Sequence, residues 1–182
     1  MTCAEPLGFR DPFTGSKGWV ERYGSEPPTQ FRSAQMIAEK WNLSRKELEI
    51  FSLESHTRAL RAIKEGRFDR EIVPLAGVTM DETPRVSTLE KMAELEFLFG
   101  CDRVTAAVSS QTCDAASAML IVSEAALKRY NLTPRARIHH MSVRADDPVW
   151  MLTAPITATQ YALKKCGMTL ADIDLVEINE AF

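Results

Sequence analysis

The sequence predicts an α/β fold in which a mainly helical region precedes alternating strands and helices. The stretch "SRKELEIFSLESHTRALRAIKEG" (44–66) places apolar residues at helical spacing. From about residue 103, short apolar runs typical of buried strands alternate with helical patterns. The 182 residues are 45% hydrophobic and 26% charged, which is typical of a globular chain. We therefore expect a helix-and-loop region up to residue 102, followed by part of an α/β layer structure.

The first region begins with a predicted loop and continues with three predicted helices. Residues 1–29 are rich in Gly, Pro and Ser, and their four aromatic residues are expected to be packed, either within this chain or against another one (Phe9, Phe13, Trp19 and Tyr23). The helices are predicted over 33–41, 44–66 and 87–95. Capping boxes mark the last two starts, Ser44 with Glu47 and Ser87 with Glu90. Between them, 71–77 predicts a short edge strand because Pro74 cannot donate a ladder hydrogen bond.

The second region alternates strand and helix patterns. Strands are predicted over 103–110, 118–123, 137–144 and 172–178. The run "SEAALKRYN" predicts a helix that Ser123 caps. The run "PITATQYALKKCG" predicts another, with Pro155 in its first turn and Gly167 just past its end.

Composition limits the classes of partner and compartment. A net charge of -3 gives no electrostatic reason to expect nucleic acid or an anionic membrane as a partner. We see no signal peptide and no apolar run of about 18 residues, so we expect a cytoplasmic protein. The Cys and His residues lack the spacing of a metal site or a disulfide framework (Cys3, Cys101, Cys113, Cys166, His56, His139, His140). We therefore expect no metal.

Few residues suggest chemistry without further context. Asn179 and Glu180 follow a predicted strand, and an amide is a suitable fixed dipole for an oxyanion, although a turn role is the stronger alternative. Ser109 and Ser110 are candidates for ligand binding or for capping a turn. Cys113 is a conceivable nucleophile, but a buried structural cysteine is the expected alternative. Arg85 is either a phosphate ligand or a surface charge.

Several segments together resemble the thiolase family of acyl-CoA C-acyltransferases. They are "SAQMIAEKWNLSRKELEIFSLESHTRALRAIKEGRFDREIVPL", "PRVSTLEKMAEL", "VTAAVSSQTCDAASAMLIVSEAALKR" and "DDPVWMLTAPITATQYALKKCGMTLADIDLVEINEAF". The resemblance implies part of a layered α/β/α/β/α thiolase-like fold with a mainly helical loop domain. By this map, 1–102 is the loop domain that covers coenzyme A and assists assembly. Residues 103–133 end the N-terminal half of the fold, and 134–182 begin the C-terminal half.

The resemblance also assigns residues. Asn179 matches the Asn that holds a water near the thioester oxygen, and Ala181 and Phe182 match residues near the pantetheine arm. Ser110 matches a serine that contacts pantetheine, and Met151 matches a methionine that lines the acyl site. Arg85 matches an arginine near the nucleotide end of coenzyme A, with a gap needed beside it in the alignment. The family's nucleophilic cysteine is expected before Met1, and its Gly-His-Pro and Cys-x-Gly motifs after Phe182.

The resemblance implies an enzyme that cleaves 3-oxoacyl-CoA with coenzyme A, or catalyses the reverse condensation. Its partners are acyl-CoA thioesters and coenzyme A, which is a substrate rather than a permanent cofactor. A homodimer or homotetramer is implied for the complete protein, whereas this segment by itself is expected to be inactive. The alternative is a non-catalytic acyl-CoA-binding or assembly module. Sterol and fatty acyl substrates both stay open.

The chain departs from the family pattern at several small residues. Ala107, Ala115 and Ala154 replace glycines, and Phe31 and Gln35 replace the commoner Gly and Glu. If those glycines require positive φ, each alanine would cost about 1 kcal/mol.

Overall fold

The computed structural model describes residues 16–182 and contains six α-helices in that range. They are α1 (Lys17–Tyr23), α2 (Gln30–Lys40), α3 (Arg45–Lys64), α4 (Leu89–Ala93), α5 (Glu124–Arg129) and α6 (Ala154–Cys166). Two 3-10 turns cover Ala106–Val108 and Leu170–Asp172. The predictions for Cys3, Phe9 and Phe13 lie outside the described residues.

The N-terminal loop prediction is wrong for 17–23, where α1 forms. The Ser16 hydroxyl accepts the Trp19 N–H at 3.2 Å and caps the helix. Trp19 and Tyr23 lie one turn apart on α1, with ring centroids 4.6 Å apart. The loop prediction relied on the Gly, Pro and Ser content of this region and did not include the N-cap at Ser16.

The helix predictions over 33–41 and 44–66 are confirmed as α2 and α3, although α2 begins three residues earlier than predicted. The Ser44 hydroxyl accepts the Glu47 N–H, and the Glu47 carboxylate accepts the Ser44 N–H at 2.7 Å. The pKa of Glu47 is lowered by the Ser44 side chain and then by this backbone hydrogen bond. Gly66 follows the end of α3 with φ of +67°, a conformation that glycine adopts without a Cβ penalty.

Helix α4 is shorter than predicted and has a different cap. Thr88, not Ser87, accepts the helix N–H of Lys91, at 3.3 Å. Both helix predictions in the second region are confirmed: Ser123 caps α5, and α6 has Pro155 in its first turn and Gly167 in the left-handed region at its end. The signals for these helices are local in sequence, so they can be read without tertiary context.

The five strand predictions are not confirmed in residues 16–182. That range contains only two isolated bridges, Leu75 with Val78 and Phe97 with Thr105. A strand exists by exchanging hydrogen bonds with a neighbour, so a β pattern alone does not form a ladder. In segments 118–123 and 172–178 the apolar side chains face solvent instead, as Leu120 at 75% and Leu175 at 90% exposure show, whereas Val104 in segment 103–110 is buried.

The core joins α2 to the segment before the 3-10 turn at Ala106–Val108. Ala34, Cys101 and Val104 are buried together, and five partly buried side chains pack against them (Phe31, Leu98, Val108, Leu152 and Phe182). The Arg103 guanidinium donates to the carbonyl oxygens of Ala38 and Leu43, both at 2.9 Å. These contacts fix the C-terminal end of α2 against residues 101–104.

Helix α3 contacts α4 and the 3-10 turn at Ala106–Val108. The Arg45 Nη2 donates to three carbonyl oxygens at the end of α4 (Met92, Ala93 and Leu95), and Arg45 also pairs with the buried Glu49 at 2.7 Å. The Ser52 hydroxyl donates to the Ala107 carbonyl at 2.5 Å. Within the described part of the chain, no helix is long and apolar enough to cross a membrane.

Candidate functional site

The two ends of the candidate site meet at a backbone hydrogen bond. The Ser110 N–H donates to the carbonyl oxygen of Ala181 at 2.9 Å. The 3-10 turn Ala106–Val108 positions Ser110, since the Ser109 hydroxyl folds back to donate to the Thr105 carbonyl at 2.8 Å. Three residues that the sequence assigned to one ligand, Ser110, Ala181 and Phe182, are therefore adjacent although 70 positions separate the first two.

Phe182 ends in an aromatic cluster. Its ring packs edge-on against Phe31, with centroids 5.3 Å apart, and Phe31 packs against Phe99 at 4.3 Å. Phe99 has φ of +44°, which is uncommon for a bulky residue, and Gly100 follows it with φ of +77°. The backbone there turns so that Phe99 lies over the first turn of α2. Backbone strain of this kind is often found where a site is built.

Met151 is held close to the same helix by Ser33. The fully buried Ser33 hydroxyl donates to the carbonyl of Trp150 and accepts the N–H of Leu152 at 3.4 Å. The Lys40 ammonium lies 4.8 Å from the Trp150 ring and 4.7 Å from the Trp41 ring. The two residues that flank Met151 are thus held against α2, and this places Met151 beside that helix.

Arg85 lies at a small cleft on α3, apart from the Ser110–Ala181 contact. Its backbone N–H donates to Nδ1 of His56 at 3.3 Å, and its side chain is exposed. The cleft has a volume of about 230 Å³ and is lined by six residues (Leu53, Thr57, Leu60, Arg85, Val86 and Ser87). The Gln111 amide donates to the Thr83 carbonyl at 3.2 Å, which connects this cleft to the Ser110 segment.

Asn179 is exposed and lies two residues before the carbonyl that accepts the Ser110 N–H. Asn179 therefore lies in the segment that the Ser110–Ala181 hydrogen bond holds.

The prediction that Cys113 is buried is wrong, because it lies exposed in the segment after Ser110. The buried cysteine is Cys101, whose thiol contacts the Phe31 carbonyl at 3.7 Å. Burial raises the pKa of the Cys101 thiol, and the charges of Asp102 and Glu39 raise it further. Cys101 is therefore poorly suited to act as a thiolate. Residues 16–182 hold no group of three or more His, Cys, Asp and Glu side chains that could bind a metal.

The alanines that replace family glycines carry no backbone strain. The non-glycine residues with positive φ in the described range are Asn42, Ala76, Phe99 and Asn131, so Ala107, Ala115 and Ala154 are not among them. The expected cost of about 1 kcal/mol at each of them therefore does not arise.

Sequence reasoning missed two residues of this region. Phe31 is identified from the sequence only as a departure from glycine, and Ser33 is not singled out. A small polar residue such as Ser33, next to apolar residues in an amphipathic helix, was the available signal for a buried hydrogen bond.

Comparison with known proteins identifies the family. The family model "Thiolase, N-terminal domain" matches residues 31–125, and "Thiolase, C-terminal domain" matches residues 132–182. The chain is 54% identical to "Steroid 3-ketoacyl-CoA thiolase FadA6" of Mycobacterium tuberculosis, over all of this chain and 46% of that protein. It is 43% identical to "3-ketoacyl-CoA thiolase" of Psychrobacter arcticus, over 82% of this chain and 42% of the relative.

Solved structures share the fold. The human mitochondrial 3-ketoacyl-CoA thiolase in complex with CoA superposes with a TM-score of 0.78 at 41% identity, over 83% of this chain and 40% of that one. The acetyl-CoA acetyltransferase of Bacillus anthracis gives the same TM-score at 37% identity, over 85% of this chain and 42% of that one. The chain belongs to the thiolase family and has a thiolase-like fold. It spans less than half the length of the relatives that it matches.

Proposed function

We propose that this chain forms the coenzyme A side of an acyl-CoA C-acyltransferase that cleaves 3-oxoacyl-CoA with coenzyme A, or runs the reverse condensation. In the cleavage direction a thiolate attacks the ketone carbon of the substrate. The bond between the carbonyl carbon and the adjacent methylene breaks, and acetyl-CoA leaves after taking up a proton. The acyl group, held as an enzyme thioester, then passes to the sulfur of free coenzyme A.

The hydrogen bond between Ser110 and Ala181 is the observation that carries this proposal. It joins residues from both family halves at the point where the pantetheine arm is expected. Phe182 adds an apolar surface beside that contact, and Arg85 offers a cation for the nucleotide phosphates at the neighbouring cleft. A ligand with a thiol-bearing arm and a phosphorylated end matches this sequence of surfaces.

Asn179 is proposed as the oxyanion group of this site. Its amide, through a bound water, would oppose the negative charge that develops on the thioester oxygen. Fixed donors of this kind are commonly the largest single contribution to acyl transfer. We do not propose Cys101, Cys113 or Cys166 as the nucleophile, since none of them stands in the family's motif.

The remaining assignments follow the family map. Residues 1–102 would cover coenzyme A and assist assembly, 103–133 would end the N-terminal half, and 134–182 would begin the C-terminal half. Coenzyme A is a substrate, and we propose no permanent cofactor, a cytoplasmic location and a homodimer or homotetramer for the complete enzyme. The relatives include a steroid 3-ketoacyl-CoA thiolase and a 3-ketoacyl-CoA thiolase without a stated acyl class, so both acyl classes are candidates. Those names favour an enzyme over a lipid carrier.

Calorimetric titration with coenzyme A tests the binding part of this proposal. We expect saturable binding that weakens about fivefold in Arg85→Ala, the loss typical of one solvent-exposed charge contact. Arg70→Ala, an exposed arginine in the turn after α3, is the matched control and should bind as the parent does. Absence of saturable heat in the parent at millimolar coenzyme A would refute the proposal.

A further inference from the structure

Arg85 lies in the connection from α3 to α4, which forms neither helix nor strand over residues 79–88. Asp81 closes a turn there, because its carboxylate accepts the Thr83 N–H at 2.9 Å and the Thr83 hydroxyl at 2.7 Å. Pro84 fixes its own φ and also restricts the backbone of Thr83 before it. The segment that carries Arg85 is therefore stiff, and a few contacts with other elements are enough to set its position.

Two side chains from other parts of the chain hold this segment by its backbone. The Arg85 N–H donates to Nδ1 of His56 on α3 at 3.3 Å. The Gln111 amide donates to the Thr83 carbonyl, two residues earlier, at 3.2 Å. Gln111 directly follows Ser110 in the chain. The backbone of Arg85 is therefore fixed both to α3 and to the segment that carries Ser110.

His56 is suited to accept this N–H at neutral pH. It lies between Leu53 and Leu60, at the spacing i, i+3 and i+7, on the face of α3 that lines the cleft. Burial lowers the pKa of His56, and the positive charge of Arg85 lowers it further. The imidazole is therefore neutral at pH 7.5, and Nδ1 keeps the lone pair that the hydrogen bond needs.

A fixed backbone matters at Arg85 because its side chain is exposed. Ordering a long side chain against a ligand already costs rotamer entropy. If the connection were free as well, its backbone would have to be ordered in the same step. The cost of fixing the backbone of even one residue exceeds what one exposed charge contact returns. Arg85 can therefore contribute to binding an anion only if its backbone is held in advance.

We propose that His56 and Gln111 are positioning residues for Arg85, which hold its backbone so that its side chain can contact the phosphates of coenzyme A. This inference rests on the proposed function, because it needs coenzyme A to bind with its nucleotide end at the Arg85 cleft. Neither residue touches the ligand. Both therefore act on binding only through Arg85.

Calorimetric titration of the full chain with coenzyme A at pH 7.5 tests the role of His56. His56→Leu removes the acceptor and should weaken binding about fivefold, the same loss as in Arg85→Ala. His56→Asn removes the ring but keeps an acceptor oxygen one bond beyond Cγ, where Nδ1 stands in histidine. It should bind coenzyme A within about twofold of the parent.

A double-mutant cycle separates positioning from a general loss of structure. His56→Leu should have no further effect in a chain that already carries Arg85→Ala. Gln111→Met removes the amide donor and should weaken binding about twofold, because Thr83 is two residues from Arg85. This loss should also disappear in the Arg85→Ala chain. His139→Leu is the matched control, since His139 is exposed and does not line the cleft, and it should bind as the parent does.

The outcomes distinguish this inference from the proposed function. If coenzyme A binds and His56→Leu keeps the affinity of the parent, the positioning role is refuted and the proposed function stands. The role is also refuted if the losses in His56→Leu and Arg85→Ala add, or if His56→Asn binds as weakly as His56→Leu. If the parent does not bind coenzyme A, the proposed function fails and this inference fails with it. If circular dichroism shows that His56→Leu is unfolded, Gln111→Met decides, and an unchanged affinity there refutes the inference.

Discussion

Phe31 shows how one residue that departs from the family pattern can build an aromatic cluster. The resemblance expects glycine at this position, and the phenylalanine instead contacts both Phe99 and Phe182. The sequence identified the departure but not its consequence, because the three aromatic residues are far apart in the chain. Contacts between distant residues leave no local signal in the sequence, whereas a helix cap does.

His56 connects the Arg85 cleft to pH. Burial lowers the pKa of His56, and the positive charge of Arg85 lowers it further. The histidine pKa in the unfolded state is near 6.5. Between that pH and the lower pKa of folded His56, the unfolded state therefore binds more protons than the folded state. It follows that the free energy of unfolding is greatest above about pH 6.5 and decreases as the pH falls from there to the folded pKa.

Urea unfolding at pH 7.5 and 5.5 measures this effect. The parent should lose stability at the lower pH, and His56→Gln should lose less. His139→Gln is the control, since His139 is exposed. An identical decrease in the parent and in His56→Gln would show that other groups cause it.

Among the elements, the helices after residue 29 could be predicted, whereas α1 and the strands could not. The signals for α3, α5 and α6 lie within each helix: Ser44 with Glu47, Ser123, and Pro155 with Gly167. The predicted strands depend on partners that the described residues do not place beside them. The cap of α4 was predicted one residue too early, because Ser87 and Thr88 are adjacent and both residue types suit an N-cap.

Ser33 is the element-scale contact with the clearest test. Ser33→Ala removes the bonds to the Trp150 carbonyl and the Leu152 N–H and leaves both groups without their side-chain partner. We expect the free energy of unfolding to decrease by about 1 kcal/mol, the typical net contribution of a side-chain hydrogen bond, because the Leu152 N–H still has the Trp150 carbonyl as a partner. Ser25→Ala, at an exposed bend, should change it by less than about 0.5 kcal/mol. A loss as small as that of the control would mean that Ser33 does not hold the segment around Met151.

At the scale of the whole molecule, the chain exposes more surface than a compact protein of its mass. Its accessible surface is 15414 Å², whereas a folded monomer of 20.4 kDa has roughly 8,800 Å². Much of the excess is apolar, as at Met119, Leu120 and Ile121 in one segment and Leu175 and Val176 in another. Contiguous exposed apolar segments of this kind bind further protein.

The purified 182-residue chain should therefore associate. Size-exclusion chromatography should show an apparent mass that rises with concentration above that of a monomer. Charged substitutions in the two apolar segments, Leu120→Lys with Val176→Lys, should reduce the association. Glu54→Lys, which changes the charge on the exposed face of α3, is the control and should not. A monomer that stays intact at high concentration and unfolds in one sharp transition would contradict the prediction.

We expect this chain to supply an oxyanion group and the coenzyme A side of a thiolase. The kcat of a chimera measures directly whether it does. In the chimera, residues 1–182 replace the matching segment of the mycobacterial relative that is 54% identical. We expect thiolysis of a 3-oxoacyl-CoA, and Asn179→Ala should lower kcat by about 10²-fold, or about 2.7 kcal/mol, with a smaller change in KM. Asn179→Asp should be at least as damaging, because it places negative charge where negative charge develops. Near-normal kcat with lowered thermal stability in folded Asn179→Ala would contradict the oxyanion role and make Asn179 a turn residue.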